Sequence, residues 1–418
     1  MKRLPHFLLG AALLAIGPVI GHTNSRGAAA EWLLPVSPLV SPAGPNSAQP
    51  QLSVTGDRVI LSWIERTGET AMLKFAERTE NGWTDARSVA SGDNYFVNWA
   101  DVPSVIRLQD GSLAAHWLQK SADSAYAYDV RLAFSTDDGR TWSASMTPHH
   151  DGTKTEHGFA SLFQIPGAGL GLVWLDGRQM KEGSHEGMDA GSMTIRGAVF
   201  NANGTQASES LVDDRVCECC PTTAAVTSDG PIIAYRDRTR DEIRDIYVSR
   251  LAGGKWTQPV PVHRDNWRIN ACPVNGPVLS ARGRDVAIAW FTAQGEEGHV
   301  YASFSQDAGK TFGAAIRIDD VGAVGRVDAE LLPDGSAAVS WIEFADQRAQ
   351  FRIRRIERTG VKSASIAVAG IAAGRASGYP RVVGRQNELV FAWTEAGEKP
   401  QVRTAVARLA ATAGTGAR

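Results

Sequence analysis

Cysteines that could bind a metal or form a disulfide are concentrated in one short stretch. The segment RVCECCPTTAA, residues 215–225, contains Cys217, Cys219 and Cys220, and Cys272 follows in INACPVNGP as the last of only four in 418 residues. Thiolates select soft metals such as copper over hard cations, whereas thiols of an exported protein pair as disulfides. The stretch therefore predicts a soft-metal site, a disulfide or a reactive thiol.

Further soft ligands lie in a loop that precedes the cysteines. His185 and Met188 belong to the segment QMKEGSHEGMDAGSM, which also holds Met180 and Met193, and His157 comes before it. Imidazole and thioether groups complement thiolates around copper or zinc. We expect His157, His185 or Met188 to supplement Cys217, Cys219, Cys220 and Cys272, with copper as the preferred metal and zinc as the alternative.

The disulfide and redox alternatives stay open at this stage. Bridging within Cys-Glu-Cys-Cys would strain the chain, so a bridge from Cys272 to Cys219 or Cys220 is the easier one to build. A redox thiol would need cations nearby to favour its thiolate, and Arg215, Arg236 and Arg238 are candidates. In an extended strand, Cys217 and Cys219 would point to one side and Cys220 to the other.

The N-terminus has the pattern of an export signal. Lys2 and Arg3 precede the apolar run FLLGAALLAIGPVIG, and small residues follow it at 28–30. That order is typical of a secretory signal. We predict a signal peptide at 1–30, one domain at 31–410 and a flexible tail at 411–418, in a periplasmic or secreted protein with no integral membrane segment after processing.

An internal repeat indicates the elements that must position these residues. A short strand that ends in an aromatic residue recurs seven times, every 51 to 61 residues. The aromatics are Trp63, Trp117, Trp174, Tyr235, Trp290, Trp341 and Trp393. Asp-Gly turns such as Asp110-Gly111 precede several copies and are a strong hairpin signal. Repeated four-stranded antiparallel meanders predict an all-β fold, a β-propeller, with seven blades and six as the alternative count.

The repeat also predicts how the ring closes and where the cysteines meet. The last unit lacks a fourth strand, and EWLLPVSPLV at 31–40 resembles one, so we expect this N-terminal strand to complete the last blade. Cys220 and Cys272 both precede a proline at equivalent positions of adjacent units. All four thiols are therefore expected in one region of the propeller mouth.

Two turns carry a resemblance to a known family. STDDGRTW (135–142) and SQDAGKTF (305–312) both fit Ser-x-Asp-x-Gly-x-Thr-aromatic, the Asp-box. On these motifs the chain resembles the sialidase (neuraminidase) superfamily of Asp-box-containing β-propellers. That family's Arg-Ile-Pro signature is absent, since the corresponding strand contains AQPQLSV. The resemblance thus implies the fold without the catalytic signature of true sialidases.

The same resemblance implies a second class of function. A sialidase-type exo-glycosidase would bind the substrate carboxylate with three arginines. It would use a tyrosine as nucleophile and an aspartate as acid/base. Candidates at the expected mouth are Arg236, Arg326 and Arg381, with Tyr379 and Asp101. A non-catalytic ligand-binding propeller is the third alternative.

The amino-acid composition narrows the classes of partner that the chain is expected to bind. Lys plus Arg number 43 and Asp plus Glu 45, so the net charge of -2 gives no electrostatic basis for binding nucleic acid. A small molecule, a metal or a glycan at the mouth is the expected ligand. The leading hypothesis is copper binding or thiol redox chemistry by an exported propeller.

Overall fold

The structure is a computed structural model that describes residues 31–165, 167, 169–184, 191–201, 203–345 and 347–410. The predicted signal peptide at 1–30 and the tail at 411–418 lie outside the described residues, as do His185 and Met188. Within the described ranges, no helix is both long and apolar enough to cross a bilayer.

Seven antiparallel sheets follow one another along the chain, as the aromatic repeat predicts. Blade one is β2 (Ser47–Thr55), β3 (Arg58–Thr67), β4 (Thr70–Glu77) and β5 (Arg87–Gly92); blade two is β6 (Ser104–Arg107), β7 (Leu113–Lys120) and β8 (Tyr128–Ser135); blade three is β9 (His157–Ile165), β10 (Gly169–Met180), β11 (Gly191–Phe200) and β12 (Gln206–Asp213). Blade four is β13 (Thr223–Thr227), β14 (Gly230–Arg236), β15 (Ile246–Ala252), β16 (Lys255–Trp256) and β17 (Val260–Pro261); blade five is β18 (Val278–Arg282), β19 (Asp285–Thr292), β20 (His299–Ser305) and β21 (Ile316–Arg317). Blade six is β22 (Ala323–Leu331), β23 (Ala337–Ala345), β24 (Arg348–Ile356) and β25 (Ile366–Ile371); blade seven is β26 (Arg381–Arg385), β27 (Glu388–Glu395), β28 (Gln401–Arg408) and β1 (Ser37–Leu39). Two 3-10 helices, Gln294–Glu296 and Arg375–Ser377, complete the regular structure of these ranges.

The ring closes as the sequence predicts. The first strand of every blade contacts the first strand of the next, and β26 of blade seven contacts β2 of blade one. The N-terminal strand β1 pairs with β28, with Ser37 opposite Val406, and a bridge joins Leu33 to Leu409. Because the first and last strands of the described residues pair within one blade, they close the ring at that blade.

Most of the repeated aromatics are buried core residues, and several of their polar groups have hydrogen-bond partners. Trp174 and Trp341 are fully buried between neighbouring blades. In three blades the indole N–H donates to an acidic side chain two residues later, which explains the recurring WIE and WLD triplets. The pairs are Trp63–Glu65 at 3.3 Å, Trp174–Asp176 at 2.7 Å and Trp341–Glu343 at 2.9 Å. A buried N–H without an acceptor would be costly, so the acid belongs to the packing.

Two blades deviate from the four-stranded plan. Within the described residues blade two has three strands, and a single bridge between Leu132 and Met146 replaces the fourth. In blade four the outer position is divided between β16 and β17, which both pair with β15. The irregular chain after β8 leads directly into the mouth, where it carries His149.

The two Ser-x-Asp-x-Gly-x-Thr turns are held by their own side chains. Ser135 Oγ accepts from the Gly139 N–H at 2.9 Å, and Asp137 accepts from the Thr141 N–H at 2.9 Å. The second turn repeats these contacts around Ser305 and Asp307. Gly139 has φ +76°, a conformation that favours glycine. These residues act within the turn and contribute no group to the mouth.

Candidate functional site

The cysteines lie in a turn between blade three and blade four. β12 ends at Asp213 and β13 begins at Thr223, and residues 218–219 form a turn between them. The expectation of an extended strand with Cys220 pointing away is therefore wrong. The turn instead directs Cys217, Cys219 and Cys220 toward one another.

Three sulfurs converge inside the protein. The Sγ atoms of Cys217, Cys219 and Cys220 lie within 4.8 Å of one another, and those of Cys217 and Cys219 are 3.8 Å apart. All three side chains are buried, whereas Cys272 is half-buried and packs against them from the next blade-to-blade connection. No disulfide joins the four cysteines. The alignment of the sequence repeats thus predicted correctly that Cys272 lies beside the other three cysteines.

A buried network of charges fixes this turn. Glu218, fully buried between two of the cysteines, accepts from Arg238 at 2.8 Å and from Arg244 at 3.0 Å. Glu242 closes the network by pairing with the same two arginines, at 2.7 and 3.1 Å. Two carboxylates and two guanidinium groups balance in charge. The network therefore holds the backbone between Cys217 and Cys219 in place.

Two features of the surroundings have opposite effects on the ionisation of the cysteine thiols. Burial raises the pKa of the Cys217, Cys219 and Cys220 thiols well above the usual range. Arg244, however, donates to Cys217 Sγ at 3.4 Å, and its charge acts against that rise. A cation bound between the sulfurs would replace the protons that burial retains.

A close backbone approach shapes the turn from the blade-five side. A Cβ at Gly276 would overlap the carbonyl oxygen of Pro221, which follows Cys220 directly. Only glycine fits at this contact.

We predict that Gly276→Ala displaces the Cys220-Pro221 segment and lowers the free energy of unfolding by about 1 to 3 kcal/mol, as is typical of overpacking. Chemical denaturation measures this change. Gly370→Ala is a matched control, because a Cβ there has no neighbour within 4 Å. An unchanged free energy of unfolding in Gly276→Ala would show that this contact does not set the turn.

His157, one of the expected supplementary ligands, lies in a different cluster from the cysteines. His157 is fully buried, and its ring stacks on His149 among Asp129, Asp151 and Asp176, a separate group from the three sulfurs. Met180 and Met193 are buried in the apolar core of blade three. The positions of His185 and Met188 lie outside the described residues.

Two of the proposed hydrolase residues are already engaged by the backbone. The Arg236 guanidinium donates to the carbonyls of Asn275, Arg244 and Phe291 at 2.6 to 2.9 Å. Tyr379 is buried, and its hydroxyl donates to the Val274 carbonyl at 2.6 Å. Neither group is free to act on a ligand without breaking these bonds.

Arginines and aromatics form a layer beside Tyr379. Arg326 lies over the Trp99 ring at 4.6 Å, and Trp99 stacks on Tyr379 with centroids 6.0 Å apart. The Arg381 guanidinium lies over the Tyr379 ring, 5.5 Å from its centroid, and interacts with the carboxylate of Asp328. Arg326 also donates to the Gly378 carbonyl at 3.1 Å. The structure thus brings Tyr379, Arg326 and Arg381 together, whereas the Arg236 guanidinium lies against the Trp267 ring.

A central cavity of about 470 Å³ runs along the first strands of all seven blades. Asp101, Tyr379 and Arg381 contribute to its wall. Asp101 accepts from the Phe159 N–H at 2.8 Å, and its second oxygen has no partner. Burial, together with the nearby Glu156, raises the pKa of Asp101 to about 8. At neutral pH this carboxyl group retains its proton.

Sequence reasoning missed several residues of the site. Arg244 and Glu242 belong to the charged run RDRTRDEIRD, which resembles a solvent-exposed loop, and the alternation of signs within it was the available signal. The sequence drew attention to His149 and His150 without distinguishing the buried ring from the exposed one, and it gave no signal for Asp151. Tyr128, which donates to Glu156, looked like an ordinary strand residue.

No family model and no curated protein matches this sequence. Solved structures share its fold. A protein of unknown function from Dyadobacter fermentans is 15% identical with a TM-score of 0.51, over 90% of this chain and 98% of that one. The polysaccharide lyase Uly1 is 10% identical with a TM-score of 0.51, over 87% of this chain and 90% of that one. The endosialidase of phage phi92 is 8% identical with a TM-score of 0.50, over 92% of this chain and 70% of that one. The likeness supports the β-propeller fold that the sequence predicted.

Proposed function

We propose that the chain is a soft-metal-binding propeller that holds one Cu(I) ion between Cys217, Cys219 and Cys220. The convergence of three buried sulfurs carries this proposal. Sulfurs that share one ion at a metal–sulfur distance of about 2.3 Å lie about 3.8 to 4.0 Å apart. The separation of 3.8 Å between Cys217 and Cys219 fits that requirement.

The surroundings favour copper over a hard cation. Thiolates are soft ligands that select Cu(I), and the burial of the three sulfurs keeps oxidants and water away from it. Arg244 offsets part of the negative charge that three thiolates bring. Zinc is the alternative, with Cys272 as a fourth ligand of the tetrahedral arrangement that structural zinc prefers.

Cys272 has a separate place in this proposal. As the half-buried cysteine, it is the sulfur that a metal from solvent meets first. We propose that it receives the ion and passes it to the buried sulfurs by ligand exchange. Loading should therefore slow in Cys272→Ser while the final stoichiometry is kept.

An anaerobic titration with Cu(I) against a chromophoric chelator, combined with a count of free thiols, tests the metal function. We expect one tightly bound Cu(I) per chain and four thiols in the metal-free protein. A protein that binds no stoichiometric copper or zinc and has no free thiols would contain disulfides instead. Two thiols lost and regained reversibly, with no metal bound, would favour a redox role.

Export is part of the proposal. The N-terminal pattern Lys2-Arg3, apolar run and small residues supports delivery to the periplasm or the exterior. Cell fractionation with detection of an N-terminus near residue 31 would test it; recovery of the full-length chain from the cytosol would contradict it.

A sialidase-type glycoside hydrolase is the second candidate. Asp101 lies on the wall of the same cavity as Tyr379 and Arg381, and this arrangement favours the hydrolase. The raised pKa of Asp101 suits a general acid, which must retain its proton at working pH. The hydroxyl of Tyr379 would first have to leave the Val274 carbonyl.

Cleavage assays with a panel of fluorogenic glycosides test the hydrolase function. We expect no turnover above background in wild type. Cleavage that disappears in Tyr379→Phe and in Asp101→Asn, but persists when all four cysteines are replaced by serine, would establish the hydrolase in place of the metal function. Saturable glycan binding without turnover would indicate a non-catalytic binding propeller.

A further inference from the structure

Two stacked histidines form a second cluster of metal-ligating groups, distinct from the cysteines. The rings of His149 and His157 are 3.8 Å apart and within 5° of parallel. His149 belongs to the irregular chain between blades two and three, and His157 begins β9. Both are buried, with 6% and 0% of their surfaces exposed.

Each edge of this histidine pair faces a carboxylate. On one edge, Asp129 Oδ1 lies 3.8 Å from His149 Nε2 and 3.6 Å from His157 Nδ1. On the other edge, Asp151 Oδ2 lies 3.3 Å from His149 Nδ1 and 3.3 Å from His157 Nε2. His149 Nε2 and His157 Nδ1, the two nitrogens on the Asp129 edge, have no hydrogen-bond partner. Buried polar atoms without partners indicate a missing ligand.

The charges of the cluster do not balance. Asp129, Asp151 and Asp176 lie around the histidines with Arg178 as the paired cation. Arg178 is bound to Asp176 at 2.7 Å and reaches Asp151 at 3.5 Å, so a guanidinium already occupies that edge. The Asp129 edge has no such cation in ion-pair contact among the described residues, and its carboxylate is 22% exposed. A cation from solvent would therefore enter on the Asp129 side.

We propose that His149 Nε2, His157 Nδ1 and an Asp129 oxygen bind one borderline divalent cation of the zinc type. These three ligand atoms lie within 4.8 Å of one another, and two imidazoles with one carboxylate are a common zinc ligand set that leaves a position for water. Asp151 then accepts from the opposite nitrogen of both rings. Ligating histidines almost always donate their second N–H to such a carboxylate, which fixes the tautomer.

Binding requires a modest movement. Parallel rings direct their lone pairs in parallel, so His149 has to tilt for the two nitrogens to converge on one ion. The chain at 147–155 contains no regular strand, and it can tilt more easily than His157 at the start of β9. This site is independent of the cysteine site, because the two clusters share no ligand.

Zinc binding by the full chain with all four cysteines replaced by serine tests the proposal. We expect about one Zn²⁺ per chain by equilibrium dialysis and metal analysis, with a higher unfolding temperature in its presence. Asp129→Asn and His149→Gln should each abolish this binding, whereas Asp151→Asn should weaken it by about 10- to 100-fold. His150→Gln is the matched control, since its exposed neighbouring ring should leave binding unchanged.

Cobalt provides a second readout that does not depend on the cysteine-free variant. In the wild-type chain, Co²⁺ bound by sulfur gives an intense charge-transfer band, whereas Co²⁺ bound by nitrogen and oxygen gives weak visible bands only. We expect Asp129→Asn to remove the weak bands and leave the intense one. No zinc in the cysteine-free chain and no weak bands in wild type, or binding that survives both Asp129→Asn and His149→Gln, would overturn the proposal and leave an imidazole pair with a purely structural role.

Discussion

Replacing Cys219 with serine is expected to reduce tightly bound copper from about one Cu(I) per chain to none, because a site of three thiolates loses both a ligand and the negative charge that holds the ion. Cys219 is the central choice, since its sulfur lies 3.8 Å from that of Cys217 and contacts Cys272. Competition with a Cu(I) chelator under anaerobic conditions measures the loss. The fold should persist, because a serine occupies less volume and the blades do not depend on a disulfide.

Cys272→Ser is the matched control for this experiment. Its thiol is half-buried and lies beside the three sulfurs, so its replacement should slow loading but change the final affinity by about 10-fold or less, in the range of residues around a metal site. Equal losses in both variants would indicate a four-sulfur site and favour zinc. Undiminished copper binding in Cys219→Ser would contradict the three-sulfur site.

Replacing Arg238 with methionine is expected to destabilise the protein by about 3 to 5 kcal/mol, because removing one partner of a buried ion pair leaves an uncompensated charge. Glu218 is fully buried, and Arg238 supplies one of its two cationic contacts. With Arg238 gone, Arg244 alone would face both Glu218 and Glu242. Chemical denaturation of the metal-free protein measures the change in the free energy of unfolding.

The exposed pair Arg403–Glu395 provides the control for that variant. Their side chains are 44% and 58% exposed, so Arg403→Met should cost about 1 kcal/mol or less. A similarly small effect of Arg238→Met would mean that the network does not hold the cysteine turn. If the network does hold it, the Arg238 variant should also bind copper more weakly, whereas the Arg403 variant should not.

Much of the architecture is encoded in local patterns. The spacing of Trp63 to Trp393 gives the seven blades, because each aromatic lies within the second strand of its blade and packs against a neighbouring sheet. The unpaired N-terminal segment predicts the closure by β1, since an incomplete last blade requires a partner strand. The loss of the fourth strand in blade two has no comparable signal, because it depends on how the chain after Ser135 is drawn toward the mouth.

The sequence predicted many of the residues that form the candidate site, but it did not predict how they are arranged. The Cys-Pro alignment located Cys272 beside the other cysteines, but an extended chain was assumed where Glu218 makes a turn. The turn depends on long-range ion pairs with Arg238 and Arg244, which no local pattern reveals. For the same reason His157 was assigned to the cysteines, although Asp129 and Asp151 hold it in another cluster.

X-ray absorption at the copper edge of the anaerobically loaded protein tests the central claim most directly. The proposed site predicts Cu(I) with three sulfur neighbours at a metal–sulfur distance of about 2.3 Å, and loss of this signal in Cys219→Ser. A first shell of nitrogen or oxygen, or a protein that retains no copper under these conditions, would contradict it.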